Sequence, residues 1–552
     1  MVNRLLVIFF LFCSTIYAQD LGWTISNEGA TSNGSYVEID AAGNVYVYGS
    51  FSDSVDLDPS AGVAQYTTIN SVTEPYLAKY DRSGNYLWSK KMTGFLPQGS
   101  ERDLMVLDSQ GNILLAVNFQ DSLVDLNDST YYSLAGSRDM GILKLDGNGN
   151  QLWFKLVQSS SNEWFHFIDN DNQDHLLLSG SFTGALDVDP GSGTEIISPD
   201  SYVGNFLLKL DESGAFEWVR TWNEGIGVSD LVIDTSRNIW ITGSFMDTVD
   251  LDPSAGDFTV QNPSSNPQSF VLKLTPDGNF TWAKTIVSTI LAYSDRIALT
   301  ANNEAIIGGR YQGMVQMGSE TYNLPNNLNA YLLKLDENGT VQWSRNIQCQ
   351  GVNSISEIKV LSDGTILFLG SFYDTTYFMA PTTGLQLIPN NPYDTYCAWY
   401  NSAGDVRWAT RFEGTGGILV MDLAKDSGDT VVMTGFYTGD FDFNLGPAVE
   451  AETTQSYYHG FVKKMYFDKL ISLGIEKKKS IQISYSNPVN DRLLYQSDSK
   501  IEKASVFSLN GSLVREINAP AGEIDFQGIE SGMYLVHFES GEGIVTARIV
   551  RL

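Results

Sequence analysis

The chain has 552 residues, 43% of them hydrophobic, and a formal net charge of −31. That is enough apolar material to bury a core, and enough negative charge to repel phosphate backbones and anionic lipid, so nucleic acid and membrane surfaces are poor partners. Acids and bases nearly balance within residues 468–552; the excess lies before them, and this shift marks a domain boundary.

Residues 1–18 combine a basic start at Arg4, an apolar run from Leu5 to Phe12 and a small residue at Ala18, the pattern of a signal peptide with the mature chain beginning at Gln19. Phe12 stands where a lipoprotein signal needs a small residue before Cys13. No later segment approaches the roughly 18 to 20 uninterrupted apolar residues of a membrane span, so no span is expected. Cys349 and Cys397 remain after cleavage. Export permits a disulfide between them, although two buried free thiols are the plainer expectation, and two cysteines are too few for a disulfide scaffold or a cysteine zinc site.

From the first repeat onward the chain is written in two hairpin phrases. One is best seen in Tyr36–Phe51, where alternating apolar residues flank a D-x-x-G-N turn. It recurs at Val106–Phe119, Phe167–Phe182, Leu231–Phe245, Ile297–Tyr311, Ile358–Phe372 and Met421–Tyr437. Alternation bounded by Asp, Gly and Asn predicts half-buried strands joined by tight turns. The other phrase, clearest in Phe206–Trp218, runs from a Lys-Leu-Asp strand through a Gly turn to a tryptophan. Its tryptophans are Trp88, Trp153, Trp218, Trp282, Trp343 and, in an eroded copy, Trp408, at spacings of 65, 65, 64, 61 and 65 residues. A period this regular is a repeat architecture.

A seventh first strand, Gly460–Asp468, has no tryptophan strand after it. Trp23 supplies one from the other end of the chain, 65 residues before Trp88 and in phase with the series. Four strands per repeat, seven repeats and an offset closing strand predict an all-β fold: a seven-bladed β-propeller closed by an N-terminal strand over residues 19–468. The copies of D-x-x-G-N, G-x-F and K-x-D-x-x-G-x-x-W resemble the β-propeller repeats of secreted bacterial proteins. That family has no settled activity, so the resemblance implies fold alone.

Residues 469–480 read as a linker with a three-lysine run, and residues 481–552 as a small β-sandwich of short strands separated by Gly turns. Asn487-Pro488-Val489 with Asp491, Val506 to Gly511, Gly532 to Val536 and Arg548 to Arg551 resemble, in order, the C-terminal sorting domain of type IX secretion substrates. The resemblance implies handling by that secretion machinery and release or attachment at the cell surface.

The best candidate for chemistry is an acidic turn after Gly-x-Phe: Asp56 and Asp58 in the first repeat, Asp187 and Asp189 in the third, Asp250 and Asp252 in the fourth. Carboxylates two apart on a strand share a face, and with turn carbonyls they could offer calcium an oxygen shell. The same residues can equally cap a Pro-Gly turn, and decay of the motif to Gln316–Gly318 and Met379-Ala380 favours that structural role. Weaker relatives are Asp125 with Asn127 and Asp128, and Asp442 with Asn444. The run from Asp169 to Asn172 lacks the Gly and terminal acid of a calcium loop. The periodic tryptophans are expected to pack between blades; Trp164, Phe165, Trp222, Trp240, Tyr311, Tyr373, Tyr393 and Trp399 fall outside the repeat and could form a stacking surface, although core or rim positions are the plainer expectation for each. With four histidines, none at metal-ligand spacing, and no nucleophile motif, the reading is an exported binding or scaffold protein for a glycan or protein ligand. The alternative is a polysaccharide hydrolase or lyase using carboxylates in the channel.

Overall fold

The computed structural model describes residues 22–68, 72–95, 103–200, 202–222, 225–380, 383–389, 394–443, 451–453, 458–466, 483–485, 489, 491–497, 500–508, 513–518, 520–540 and 543–551. The expected signal peptide, the expected linker and Tyr393 lie outside them. Everything described is strand, turn or loop, in two compact units, Met1–Phe467 and Asp468–Leu552.

In the first unit, seven antiparallel sheets among the described residues repeat one pattern, with neighbours in space that are neighbours in sequence. Sheet 1 is Glu28–Ile39, Val45–Asp56, Glu74–Tyr80 and Tyr86–Lys91; sheet 2 is Met105–Leu107, Ile113–Gln120, Arg138–Leu145 and Gln151–Val157. Sheets 3 to 6 begin at Glu163, Ile226, Leu291 and Asn353. Sheet 7 takes Ile418–Lys425, Thr430–Tyr437 and His459–Tyr466 from the end of the unit and Thr24–Ser26 from its start, with Thr24 opposite Lys463 and Ser26 opposite Phe461. Each first, or inner, strand touches the inner strands of the sheets before and after it, and that of sheet 7 touches that of sheet 1.

The alternating pattern predicts strands with one wet face, but every residue from Val45 to Phe51 and from Leu176 to Phe182 is buried. The second strands are covered on both faces because the sheets stack face to face, and their outward positions meet the next sheet. Clusters such as that joining Ile168, Leu178 and Leu208 of sheet 3 to Leu115 and Ile142 of sheet 2 fill these seams.

The repeated lysine and tryptophan belong to the seams. Lys79 Nζ and Trp88 Nε1 of sheet 1 both donate to the Gly147 carbonyl in the last turn of sheet 2, at 2.8 and 3.3 Å. Lys273 and Trp282 of sheet 4 converge on Glu337 of sheet 5 at 3.3 and 3.2 Å. Lys464 and Trp23 of sheet 7 converge on Arg82 of sheet 1 at 2.9 and 3.1 Å. The turn glycine is required by both conformation and space. Gly84 has φ +84°, and a Cβ there would lie 2.8 Å from the Trp23 ring. The same lysines also reach the first-hairpin acid of their own sheet, as in Lys144–Asp108 at 2.9 Å and Lys273–Asp234 at 3.4 Å.

A second set of links joins the first-hairpin turns. The left-handed position of that turn is Gly43, Gly111 and Gly364 in sheets 1, 2 and 6, but Asp174 (φ 62°), Arg237 (φ 67°), Asn303 (φ 57°) and Asp429 (φ 58°) in the others. Each of these four bonds the turn of the preceding sheet. Asp174 accepts from Ser109 N at 2.8 Å and Ser109 Oγ at 2.6 Å, Asn303 exchanges bonds with Thr235, Asp429 accepts from Ser362 N at 3.0 Å, and Arg237 reaches Gln173. Four positions thus hold a side chain in a conformation that costs about 1 kcal/mol in return for a bond between sheets.

The second unit has a three-stranded sheet, Ile483–Tyr485, Arg492–Ser497 and Glu523–Asp525, and a four-stranded one in the order Leu513–Asn518, Ile501–Ser508, Gly532–Ser540, Gly543–Arg551. Leu493, Val506, Ile524, Phe526, Val536 and Phe538 form its core.

Replacing Asp174 separates the two effects. D174A keeps the left-handed strain and loses both bonds, an expected loss of about 2 kcal/mol. D174G loses the bonds but relieves the strain, and is expected within about 1 kcal/mol of the parent. Urea unfolding followed by tryptophan fluorescence measures both, and equal losses would remove the strain argument.

Candidate functional site

The inner strands share one irregularity. A bulge falls between Gly34 and Tyr36, Phe165 and Phe167, Val228 and Asp230, Ser294 and Arg296, Ile355 and Glu357, and Val420 and Asp422. It re-aims the residue that follows. In sheets 1 and 3 that residue is aromatic; in sheets 4 to 7 it is Asp230, Arg296, Glu357 and Asp422. Two residues on, at the same face of the strand, stand Glu38, Asp169 and Lys359. Glu38, Asp103, Asp169, Asp230, Glu357, Lys359 and Asp422 border a cavity of about 340 Å³ lined by the inner strands, and Arg296 lies against Glu357.

Several of these charges hold seams. Asp230 of sheet 4 accepts from Ile297 N of sheet 5 at 2.8 Å and from its own neighbour Leu231 N at 2.8 Å. Asp422 of sheet 7 does the same for Val37 N of sheet 1 at 2.8 Å and Leu423 N at 2.6 Å. Arg296 of sheet 5 donates through Nε to Glu357 Oε1 of sheet 6 at 2.7 Å, and its second nitrogen lies 2.5 Å away.

Burial pushes Glu38, Asp169 and Asp230 up to about 7, with the neighbouring Asp103 adding to it in each case. Burial also raises Glu357, and raises Asp422 well above the usual carboxylate range. Burial opposes the charges on Arg296 and Lys359, but the carboxylates around them, Glu357 first, outweigh it and hold both above their ordinary values.

Asp103, Glu357 and Asp422 bring carboxylate oxygens within 4.8 Å of one another, a spacing that could hold a cation. The group carries its own cations, however: Arg296 is bonded to Glu357, and Lys359 is held charged by Glu357, Asp422, Asp103 and Glu38. Two cations among Glu38, Asp103, Asp169, Asp230, Glu357 and Asp422 neutralise the belt only in part and leave it an acidic excess.

The residues singled out in the sequence are placed elsewhere and apart. Asp56 and Asp58, Asp187 and Asp189, and Asp250 and Asp252 lie in three separate loops, on sheets 1, 3 and 4. In each, the first carboxylate accepts from the backbone two and eight residues on. Asp56 Oδ1 takes Asp58 N at 3.1 Å and Ala64 N at 2.9 Å, Asp187 Oδ1 takes Asp189 N and Glu195 N, and Asp250 Oδ1 takes Asp252 N and Phe258 N. The second carboxylate caps the turn, Asp58 through Ser60 N, Asp189 through Gly191 N and Asp252 through Ser254 N. One oxygen of each pair member is thereby committed to the backbone. Phe165, Trp222, Trp240, Tyr311 and Trp399 are core, and Tyr373 is exposed. Cys349 and Cys397 are buried free thiols.

Sequence reading passed over the belt around the cavity. Its signal was available: four residues before the first-hairpin turn begins, sheets 4 to 7 read Asp230, Arg296, Glu357 and Asp422 where sheets 1 to 3 read Tyr36, Leu104 and Phe167.

Residues 484–551 match the secretion system C-terminal sorting domain family. That module marks a chain exported by the type IX system and secreted or attached at the cell surface. The chain is 23% identical to an uncharacterized WD repeat-containing protein of Acanthamoeba polyphaga mimivirus, over 82% of this chain and 39% of that protein. Among solved structures it is similar to the extracellular domain of a one component system from B. thetaiotaomicron (11% identity, 96% and 99% of the two chains, TM-score 0.16). It is also similar to PorZ, a surface component of the type-IX secretion system of Porphyromonas gingivalis (10%, 96% and 100%, TM-score 0.16). A third is a Synechocystis apocarotenoid oxygenase mutant (12%, 69% and 97%, TM-score 0.29). Scores this low carry no functional argument.

The belt makes stability depend on pH with a definite sign. Glu38, Asp169 and Asp230 bind protons more tightly folded than unfolded. Their contribution is complete below about pH 4 and is lost as pH rises through about 7. Asp108 and Asp234 oppose this at the acid end. Burial raises them, but bonds from Asn112 and Asn238 outweigh it and hold both below the usual range, so their contribution is lost on acidification. Thermal stability is expected to peak in the weakly acidic range and to decline from pH 5 to 8. D230N should flatten that decline by up to about 1.4 kcal/mol per pH unit, read from melting curves across the range.

Proposed function

We propose that this is an exported binding protein whose seven sheets are the blades of a closed β-propeller, with one face of that ring receiving a glycan or protein ligand. The pairing of Thr24–Ser26 with the last sheet and the cyclic contacts of the inner strands support the closed ring. The observation that carries the binding reading is the distribution of exposed aromatics. The exposed ones among the described residues are Tyr132 (70%), Tyr202 (77%), Tyr373 (54%) and Tyr458 (51%). All four fall in connections between second and third strands, of sheets 2, 3, 6 and 7. Antiparallel order sends those connections to the end of the sheets opposite the hairpin turns. Val63, Val72, Leu134, Ile196 and Ile388 are exposed in the same set of connections. Tyrosine offers a flat apolar ring with a polar tip at small entropic cost, suited to sugar rings and to protein surfaces alike.

The opposite end is occupied by links between sheets, which leave the turns little freedom to recognise anything. The hydrolase or lyase reading has the channel carboxylates to draw on, but Asp422 and Glu357 are engaged in seams, so binding comes first. In this reading residues 1–18 are the signal peptide, 469–480 a linker and 481–552 the segment read by the secretion machinery.

Immobilised mature chain on glycan and surface-protein arrays tests the function. Retention of a ligand by the parent, weakened at least tenfold in Y132A/Y202A/Y373A/Y458A with an unchanged melting temperature, is expected; retention unaffected by the four changes would remove this face from the reading. Deleting residues 481–552 is expected to leave the protein in the periplasm, followed by fractionation, and normal surface delivery would refute the sorting role.

A further inference from the structure

One buried carboxylate in the first unit has no counter-charge where its repeats have one. Sheet 1 opens its third strand with Glu74, opposite Phe51, and Lys91 on the fourth strand bonds it at 2.6 Å. Sheet 6 has Asp394, opposite Phe372, and Arg411 at 3.5 Å. Lys91 and Arg411 both stand three residues after the sheet's tryptophan. Sheets 3, 4 and 5 carry no acid at the first position and no base at the second: Gly204 with Thr221, Gln268 with Thr285, Asn329 with Asn346. Acid and base thus come and go together.

Sheet 2 breaks the rule. Asp139, opposite Phe119, is an acid with 0% exposure, and Leu156 occupies the basic position. What approaches instead is a second acid, Glu163 of sheet 3, also 0% exposed. Glu163 Oε1 accepts from Ser159 Oγ, whereas Oε2, on the carboxyl that faces Asp139, has no hydrogen-bond partner. Neither carboxylate forms an ion pair among the described residues. Asp139 Oδ2 accepts from Leu134 N at 2.8 Å and from Gln158 Nε2 at 3.2 Å, whereas Asp139 Oδ1 and the Glu163 carboxyl are bordered by hydroxyl and carbonyl oxygens. Ser137 Oγ lies 3.2 Å from Asp139 Oδ1 and 3.2 Å from the Ser159 carbonyl, and it also contacts the Leu134 carbonyl.

We propose that this pocket at the seam of sheets 2 and 3 is a calcium site. The carboxylates of Asp139 and Glu163, the hydroxyls of Ser137 and Ser159, and the carbonyls of Leu134 and Ser159 form its oxygen shell. Two facing buried acids without a base call for a cation or a shared proton between them, and Glu163 Oε2, which no donor reaches, is the group open to the ion. An all-oxygen set with carbonyls and hydroxyls suits calcium; magnesium, which keeps its waters, and zinc, which prefers nitrogen and sulfur, fit it poorly. The ion would tie the loop before the third strand of sheet 2 to the start of the inner strand of sheet 3.

The test uses the mature full-length chain, stripped with chelator, incubated with calcium chloride and freed of unbound ion by gel filtration. Metal analysis is expected to find one calcium per chain in the parent and none in E163Q, and calcium should raise the melting temperature of the parent alone. D56N/D187N/D250N, which alters the acidic loops, should keep its calcium. A parent that retains no calcium overturns the proposal and leaves a shared proton as the occupant. An E163Q variant that retains a full equivalent, or loss of calcium in the triple variant, also overturns it. Should E163Q fail to fold, D139N takes its place and the metal count of the parent decides by itself.

Discussion

What the rest of the first unit depends on is the hold that each sheet takes on the last turn of the next. In sheets 1, 4 and 7 a lysine and a tryptophan converge on one carbonyl of the neighbour, as Lys79 and Trp88 do on Gly147. In sheets 2 and 3 the lysine makes the link, Lys144 to Glu212 and Lys209 to Pro276, and in sheet 5 Trp343 makes it to Ser402. A turn carbonyl at a sheet end is otherwise left to solvent. Satisfying it from the adjacent sheet converts a stack of separate hairpin pairs into one body, and the indole adds a large apolar area over a glycine that can have no side chain.

This requirement explains the one eroded copy. In sheet 6 the lysine position is Trp399, and Trp408 stacks on it with centroids 4.3 Å apart. The turn these residues would grip belongs to sheet 7, whose fourth strand arrives from the other end of the chain, so no hairpin turn joins its third and fourth strands. The motif thus departs from its pattern in the sheet whose neighbour has no such turn.

How much was legible in the sequence follows from how far each feature reaches along the chain. The hairpin phrases and the phase of Trp23 are written within single repeats, so element order and the pairing of the first strand with the last sheet could be read directly. The two-sided burial of Val45–Phe51 could not, because alternation reports the pleat and not what lies beyond it. The belt around the cavity was missed because its members come one or two per sheet, with successive sheets some 65 residues apart, and each alone is an unremarkable charged strand residue. Asp139 and Glu163 were harder still, since they belong to different repeats and their meaning comes from Leu156, a residue conspicuous only when seven copies are laid side by side. The acidic loops, conspicuous in sequence, are largely occupied with their own backbone.

The pairing of Thr24–Ser26 with Phe461–Lys463 has a kinetic side. Ser32 of sheet 1 and Gly460 of sheet 7, which bond beside that pairing, are 428 residues apart, whereas nearly every other strand pair is local. Local hairpins can form early, but this pairing must bring together the two ends of the first unit, and such distant contacts are slow to form. The residues made first are therefore among the last to find their place. Until they do, the strand His459–Tyr466 has one row of amides and carbonyls unclaimed, open to any extended chain that comes within reach.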